Sequence, residues 1–381
     1  VKLDGYGKHA ESVVFRDRPF LVTWQVRRAP IPCDPDTSST NDNAGGDGEL
    51  SAAEGRNLLE RIAQHRTGIV VLCGSGSLFR ADLVELIRHA KRLHLKVGLA
   101  PAPIRLLTRH RLRAVAEAGL DQIILPLEAP CSAAHDGPGH TPGGFAKTLA
   151  RARDARELGL PVQIDTRFAR WNFAQRDPIA DLVGSLGATT WEVSFSLSYT
   201  RGESDDALRA KQVEQVFETV YRVDRQYPVW VKVREAPHYH RFLQQKEGVN
   251  PWLVRPPEDV DPVAACAGIS RQICSVAQAA DAGKSALFVD ECGNVYPSAQ
   301  LPIHLGNVRK DAIAAIYRQS PVLRELRDAA LLKGKCGFCE LRRVCGGSRA
   351  RAFAASGDHL GPDPACAYIP ATLSGGQHGG T

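Results

Sequence analysis

Gly68-Ile69-Val70-Val71-Leu72-Cys73 is the stretch on which the fold turns: a short apolar, β-branched run with no polar side chain. A strand covered on both faces reads this way. Ala81 to Leu93 follows with apolar residues at helical spacing, and Lys96 to Ala100 is a second short strand. Strand, helix and strand within about 30 residues make a βαβ unit, which requires parallel pairing. The pattern spreads outward in both directions. Upstream, Phe20 to Val26 reads as a strand and Ser51 to Gln64 as a helix, with Ser51 and Glu54 as a capping box. Downstream, helices are expected at Thr108–Ala118, Gly144–Leu158, Pro178–Leu186 and Asp205–Gln226. Strands are expected at Gln122–Leu127, Val162–Thr166, Trp191–Leu197 and Val229–Val233, all read as apolar throughout. No unit opens with G-x-G-x-x-G, so the fold class is α/β, a partial (β/α)6 TIM-like barrel rather than a dinucleotide fold. Such barrels carry their sites on the loops after the strands. The long Arg27–Gly48 loop is the first of these, and the reaction centre is expected there.

A second feature lies near the C-terminus. Cys336, Cys339, Cys345 and Cys366 stand at C-x2-C-x5-C-x20-C, with Gly346-Gly347-Ser348-Arg349 after the third. Four thiolates on short loops suit a 4Fe-4S cluster or a zinc ion; separate buried thiols or two disulfides are the structural alternatives. Between barrel and cysteines, a hairpin is expected at Ala286–Val289 and Val295–Pro297, with helices at Asp311–Tyr317 and Val322–Leu331. The chain thus divides into a lead-in (1–18), a barrel (19–234), a small metal-held domain (235–370) and a tail expected to be disordered (371–381).

Composition narrows the function classes. A net charge of +6 over 381 residues is mild, and its cations are scattered among acids without aromatic interleaving, so no nucleic-acid partner is expected. No apolar run approaches the ~20 residues of a membrane span. Ten cysteines without a leader-like segment point to a reducing compartment, hence a cytoplasmic protein.

Taken together these motifs resemble the radical SAM superfamily, in the branch with a SPASM or twitch C-terminal domain close to the anaerobic haem-biosynthesis enzymes. The resemblance spans roughly residues 18 to 370. It rests on C-x2-C-x5-C-G-G-x-R-A-R-A, Gly357-Asp358 and Asp363-Pro364-Ala365-Cys366, with Gly293-Asn294-Val295-Tyr296-Pro297 and Gly306-Asn307-Val308 upstream. It implies that Cys336, Cys339, Cys345 and Cys366 ligate one auxiliary 4Fe-4S cluster. The family's C-x3-C-x2-C, which follows the first strand, is missing. After Trp24-Gln25-Val26-Arg27-Arg28-Ala29 its three positions fall on Pro30, Asp34 and Thr37, with Cys33 one residue out of place. The turn that approaches the amino group of SAM, G-G-E-P or G-G-D-P in the family, is Gly74-Ser75-Gly76-Ser77. The family's arginine after His-Asp becomes Gly139, following His135-Asp136. The implied protein is a degenerate member that has lost SAM cleavage, S-adenosyl-L-methionine itself being a doubtful ligand. It would bind a tetrapyrrole-like or peptide substrate, or a full-length radical SAM partner. The alternatives are an active enzyme with unusual ligation by Cys33 and Asp34, or redox chemistry at the auxiliary cluster, and a zinc-stabilised interaction protein.

Other residues carry weaker signals. His238 and His240, in a turn at Ala236–His240, are read as rim residues between domains or as binding a metal, a haem-like substrate or an acidic group. Cys266 and Cys274, near Cys292, suggest buried thiols rather than a second cluster, since the family's further ligand is Ser298 here. Cys33, Cys73 and Cys131 sit on loops of the active face. Glu128 and Asp165 end strands at the barrel mouth, either to contact a ligand or to make rim hydrogen bonds.

Overall fold

The computed structural model describes residues 18–28, 48–65, 67–137, 142–197, 206–248 and 284–374. Strands and helices alternate through β1 (Leu21–Gln25), α1 (Ala52–Gln64), β2 (Ile69–Cys73), α2 (Leu83–Arg92), β3 (Lys96–Leu99), α3 (Arg109–Glu117) and β4 (Gln122–Pro126). A short α4 (Ser132–His135) precedes α5 (Gly144–Glu157), then β5 (Val162–Phe168), α6 (Arg176–Ser185), β6 (Thr190–Phe195), α7 (Ala210–Gln226), β7 (Trp230–Val233) and α8 (His238–Glu247). The C-terminal part holds β8 (Ala286–Val289), β9 (Asn294–Tyr296), β10 (Gly306–Asn307), α9 (Ile313–Gln319), α10 (Pro321–Arg327), α11 (Gly334–Phe338), α12 (Arg349–Ser356) and α13 (Ala371–Ser374). The remainder of the expected tail and the lead-in up to residue 17 lie outside the described residues.

One 10-stranded sheet runs in the order β10-β9-β8-β1-β2-β3-β4-β5-β6-β7. From β1 to β7 every pairing is parallel. The hairpin joins this sheet: β8 pairs in parallel with β1, and β9 folds back antiparallel on β8. No closed barrel forms among the described strands, in keeping with the partial barrel expected. Trp24, Leu58, Leu59, Ile62, Leu72, Leu86 and Ile87 are fully buried between sheet and helices. Each contributes on the order of 2 kcal/mol.

The capping box forms as expected: Ser51 Oγ accepts from Glu54 N at 3.3 Å and Glu54 Oε2 accepts from Ser51 N at 2.8 Å. Glu54 also takes Arg309 Nε at 2.6 Å, tying α1 to the segment after β10. That hydrogen bond, with those from Ser51, holds the Glu54 carboxyl at about 2.

Three expectations need correction. Strands β5 to β7 are not apolar throughout. Gln163, Asp165 and Arg167, then Thr190, Glu192 and Ser194, alternate with buried Ile164, Thr166, Phe168, Trp191, Val193 and Phe195. The outer set packs on helices and on itself, with Trp191 Nε1 donating to Thr166 Oγ1 at 2.9 Å and Phe195 meeting Phe217 of α7. The inner set is polar. Second, α7 starts at Ala210 instead of Asp205. Third, Ala236–His240 is no turn but leads into α8, with Pro237 at φ −62 as its N-cap. Proline suits a helix start, and Tyr239 and Phe242 lock the helix onto Phe217 at ring distances of 5.1 and 5.7 Å. Among the described residues no helix is long and apolar enough to cross a membrane.

Candidate functional site

Helix α11 carries Cys336, Cys339 is its C-cap, and Cys345 precedes the Gly346-Gly347 turn that leads into α12. Cys336, Cys339, Cys345 and Cys366 line one small cavity together with Lys335, Arg342 and Tyr368. All four are free thiols in this structure. Nitrogen donors surround the sulfurs. Gly347 N donates to Cys345 Sγ at 3.4 Å, Asp363 N to Cys336 Sγ at 3.5 Å, and Arg349 Nη2 to Cys336 Sγ at 3.8 Å. Gly347 must be glycine: its φ is +68, and a Cβ would sit 3.1 Å from Cys336 Sγ and 2.8 Å from the Cβ of Asp363. Burial pushes the thiols of Cys339, Cys345 and Cys366 up, so without a cation they stay protonated. Among the described residues no three His, Cys, Asp or Glu side chains converge closely enough to hold a metal ion. Ligation therefore requires the thiols to lose their protons and turn into the shared cavity, which metal binding itself drives.

Directly beneath lies a buried ion pair absent from the sequence reading. Arg351 Nη1 meets both Asp363 oxygens at 3.2 and 3.1 Å, and Ser348 N and Ala365 N donate to the same carboxylate at 2.8 and 2.9 Å. Burial alone would raise the Asp363 carboxyl, but Arg351, His238 and the two N–H groups prevail and hold it at about 2. Arg351 Nη2 reaches the carbonyl of Glu235 at 3.3 Å, and His238 Nδ1 stands 3.6 Å from Asp363 Oδ2. His238 is thus wholly buried between α8 and the cysteine segment instead of lying on a rim, its ring 4.9 Å from Phe217. Burial lowers His238 and His240 to about 3, leaving both imidazoles neutral.

Pro30, Cys33, Asp34 and Thr37 lie outside the described residues, as do Gly139, Cys266 and Cys274. The turn after β2 is described. Gly74 has φ +120, and a Cβ there would come within 2.3 Å of Arg27 O. Gly76 N donates to that carbonyl at 3.3 Å. Ser77 Oγ accepts from Ala102 N at 2.9 Å, pinning the turn to the segment after β3. Gly76 offers no carboxylate. Asp136 accepts from Gly143 N at 3.1 Å and Phe145 N at 2.9 Å, so His135-Asp136 anchors the start of α5. Cys73 is the last residue of β2 rather than a loop residue, and burial pushes its thiol up to about 12. Cys131 is exposed ahead of α4, and Cys292 is half-buried in the β8–β9 turn. Ser298 Oγ accepts from Gln300 N at 3.2 Å within a local bridge.

The concave face carries the polar residues that the sequence reading largely missed. Gln163 Nε2 donates to Asp165 Oδ1 at 2.8 Å and to Glu192 Oε2 at 3.2 Å. Arg234 Nε meets Glu192 Oε1 at 2.8 Å, and its Nη2 lies 3.9 Å from Asp165. Enclosure by protein and the neighbouring Glu192 push the Asp165 carboxyl up to about 7, against the pull of Arg234. Its side chain still keeps 29% of its accessible surface, which marks a group inside a cleft rather than in a packed core. Glu128 lies two residues past the end of β4 and faces Arg167 Nε at 3.8 Å. Period-two alternation in Val162–Phe168 was the available signal for this face.

An open parallel sheet with its first strand extended by a hairpin, followed by a four-cysteine unit, defines the class: the chain belongs to the radical SAM enzymes with a SPASM domain. It is 31% identical to an AdoMet-dependent heme synthase of Methanosarcina barkeri over 362 residues, covering 94% of this chain and 99% of the relative. A PqqA peptide cyclase of Rhodopseudomonas palustris is 28% identical, with 92% and 87% covered. Among solved structures, Streptococcus suis SuiB bound to S-adenosylmethionine superposes with a TM-score of 0.62 at 12% identity, covering 92% of this chain and 78% of that one. Native anSMEcpe with bound AdoMet gives the same TM-score and identity, covering 91% and 93%. These two likenesses are of fold. No protein-family profile matches the chain.

Proposed function

We propose that this chain is a degenerate member of its family: it holds one auxiliary 4Fe-4S cluster on Cys336, Cys339, Cys345 and Cys366 and binds its ligand without cleaving SAM. One observation carries the reading. Four free thiols share a cavity ringed by N–H donors, whereas the positions of the first-cluster motif hold Pro30, Asp34 and Thr37. Backbone N–H groups aimed at sulfur favour thiolate over thiol and tune the iron they bind. Zinc would accept the same four ligands. Bound there, a cluster cross-links the C-terminal loops and supplies a one-electron carrier. The mouth gives independent support, because Gly76 has no group to receive an amine and Ser77 is committed to Ala102. The ligand would be tetrapyrrole-like or a peptide, by likeness to relatives named for heme synthesis and for a peptide substrate. A full radical SAM partner that uses this chain as a binding subunit fits the same loss.

Incubation of the reconstituted protein with SAM and dithionite tests the reading. No 5'-deoxyadenosine above the reagent background is expected. Stoichiometric 5'-deoxyadenosine that disappears on Cys33→Ala would establish an active centre with unusual ligation instead.

A further inference from the structure

The inner face of the sheet is charged, where a closed eight-stranded barrel would be filled by branched apolar side chains. Residues paired across parallel strands point to the same side, so the register lays these charges out in rows. Asp165 pairs with Glu192 and Glu192 with Lys232, which makes the deeper row. One step nearer the strand ends Arg167 pairs with Ser194, and Arg234 N, donating to Val193 O at 2.8 Å, brings Arg234 to the same level. Two arginines thus flank a serine, their Cα atoms roughly 10 Å apart across two strand spacings.

Neither guanidinium is used up. Arg167 keeps 55% of its side-chain surface and meets Glu128 only at 3.8 Å. Arg234 keeps 49%, spends its Nε on Glu192, and leaves its Nη2 3.9 Å from Asp165. The Ser194 hydroxyl engages no hydrogen-bond partner among the described residues, while Arg234 also feels the charges of Glu235 and Cys73. An anion entering from the strand ends meets both arginines, with the Glu128 carboxylate beside Arg167, and finds Asp165 and Glu192 one row deeper. Asp165 opposes it weakly, since burial and Glu192 keep that carboxyl protonated up to about pH 7.

We infer that Arg167, Ser194 and Arg234 form a carboxylate-binding subsite on the concave face, taking an acidic group of the ligand held by the barrel. Planar forks of this kind bind carboxylates bidentately, which lysine cannot do. The inference rests on the reading that the barrel keeps a ligand-binding role, and it applies to a propionate of a tetrapyrrole or an acidic side chain of a peptide.

The test titrates the full reconstituted chain with a porphyrin bearing propionates, the same porphyrin with those groups as amides, an acidic peptide and SAM. Arg167→Gln and Arg234→Gln are compared with wild type, and circular dichroism checks the fold. Because Arg234 also neutralises Glu192, Arg167→Gln serves as the variant that leaves that pair intact. At least tenfold weaker binding of the porphyrin acid or the acidic peptide in either variant, with unchanged binding of the amide form, is the expected result; which acid responds identifies the source. Equal affinity in wild type and both variants overturns the subsite alone. A loss shared by the amide form shows a merely structural effect and overturns it too, as does a loss confined to SAM, which would assign the arginines to the methionine carboxylate. If wild type binds neither acid, the ligand-binding reading fails and the subsite with it.

Discussion

The turn after β2 and the turn before α12 are built alike and equipped differently. Each is a glycine turn pressed against another segment: Gly74 on the carbonyl of Arg27, Gly347 on the sulfur of Cys336. In the first, the hydrogen bonds serve the backbone: Ser77 Oγ accepts from Ala102 N, and Gly76 N donates to the carbonyl of Arg27. In the second, the turn's N–H groups and the loop around it point at sulfur, over a buried Arg351–Asp363 pair. The comparison teaches that the same kind of glycine turn can serve the backbone in one place and face sulfur in another. Sheet and helix packing hold the β2 turn in place whether or not an acid projects from it. The cysteine segment has little apolar core of its own, so its shape depends on buried polar groups.

That contrast can be broken by mutation. The largest effect is expected from Arg351→Ala, which strands the Asp363 carboxylate without its partner. Removing one member of a buried pair costs about 3–5 kcal/mol, and chemical denaturation should show that loss together with reduced metal retention. A change below about 1 kcal/mol would mean that the pair does not organise the segment. Gly74→Ala comes next. A side chain at φ +120 beside a carbonyl should cost roughly 1–3 kcal/mol, while leaving iron content at the C-terminal site unchanged. Loss of iron in that variant would show the two regions to be coupled.

A third experiment uses pH. The folded Asp165 carboxyl titrates at about 7 against an ordinary value of 3.8. The folded chain therefore holds this proton longer than the unfolded chain, and its contribution is present below pH 4 and is lost as pH rises through 7. Asp165→Asn should match wild type near pH 4 and exceed it by roughly 1–3 kcal/mol near pH 8. Parallel stability curves for the two proteins would place Asp165 in open solvent. The smallest effect on the chemistry belongs to Gly76→Asp, which restores an acid to the β2 turn. Gly76 is buried, so the new side chain should itself cost roughly 1–3 kcal/mol of stability, but 5'-deoxyadenosine should remain absent, because the thiols are missing as well. Its appearance would leave the turn as the sole defect.

Much of this arrangement could be read from the chain. The run from Gly68 to Cys73 and its neighbours disclosed the parallel sheet, since continuous apolar strands separated by helices have few other solutions. Short-range spacing likewise disclosed the cysteines and the Ser51–Glu54 cap. What escaped was set by partners distant in sequence. Nothing local to His238 announces Asp363, and Arg234 looks like an ordinary strand end until β6 brings Glu192 beside it. Two misreadings had visible signals. Alternation in Gln163, Asp165 and Arg167 marks a polar inner face, and a proline at Pro237 is as compatible with a helix start as with a turn.

Iron per chain after anaerobic reconstitution tests the central claim most directly. The account predicts about four irons per chain, with absorbance near ~400 nm, and their loss in Cys336→Ala. About eight irons per chain, or one zinc in place of iron at Cys336, Cys339, Cys345 and Cys366, would contradict it.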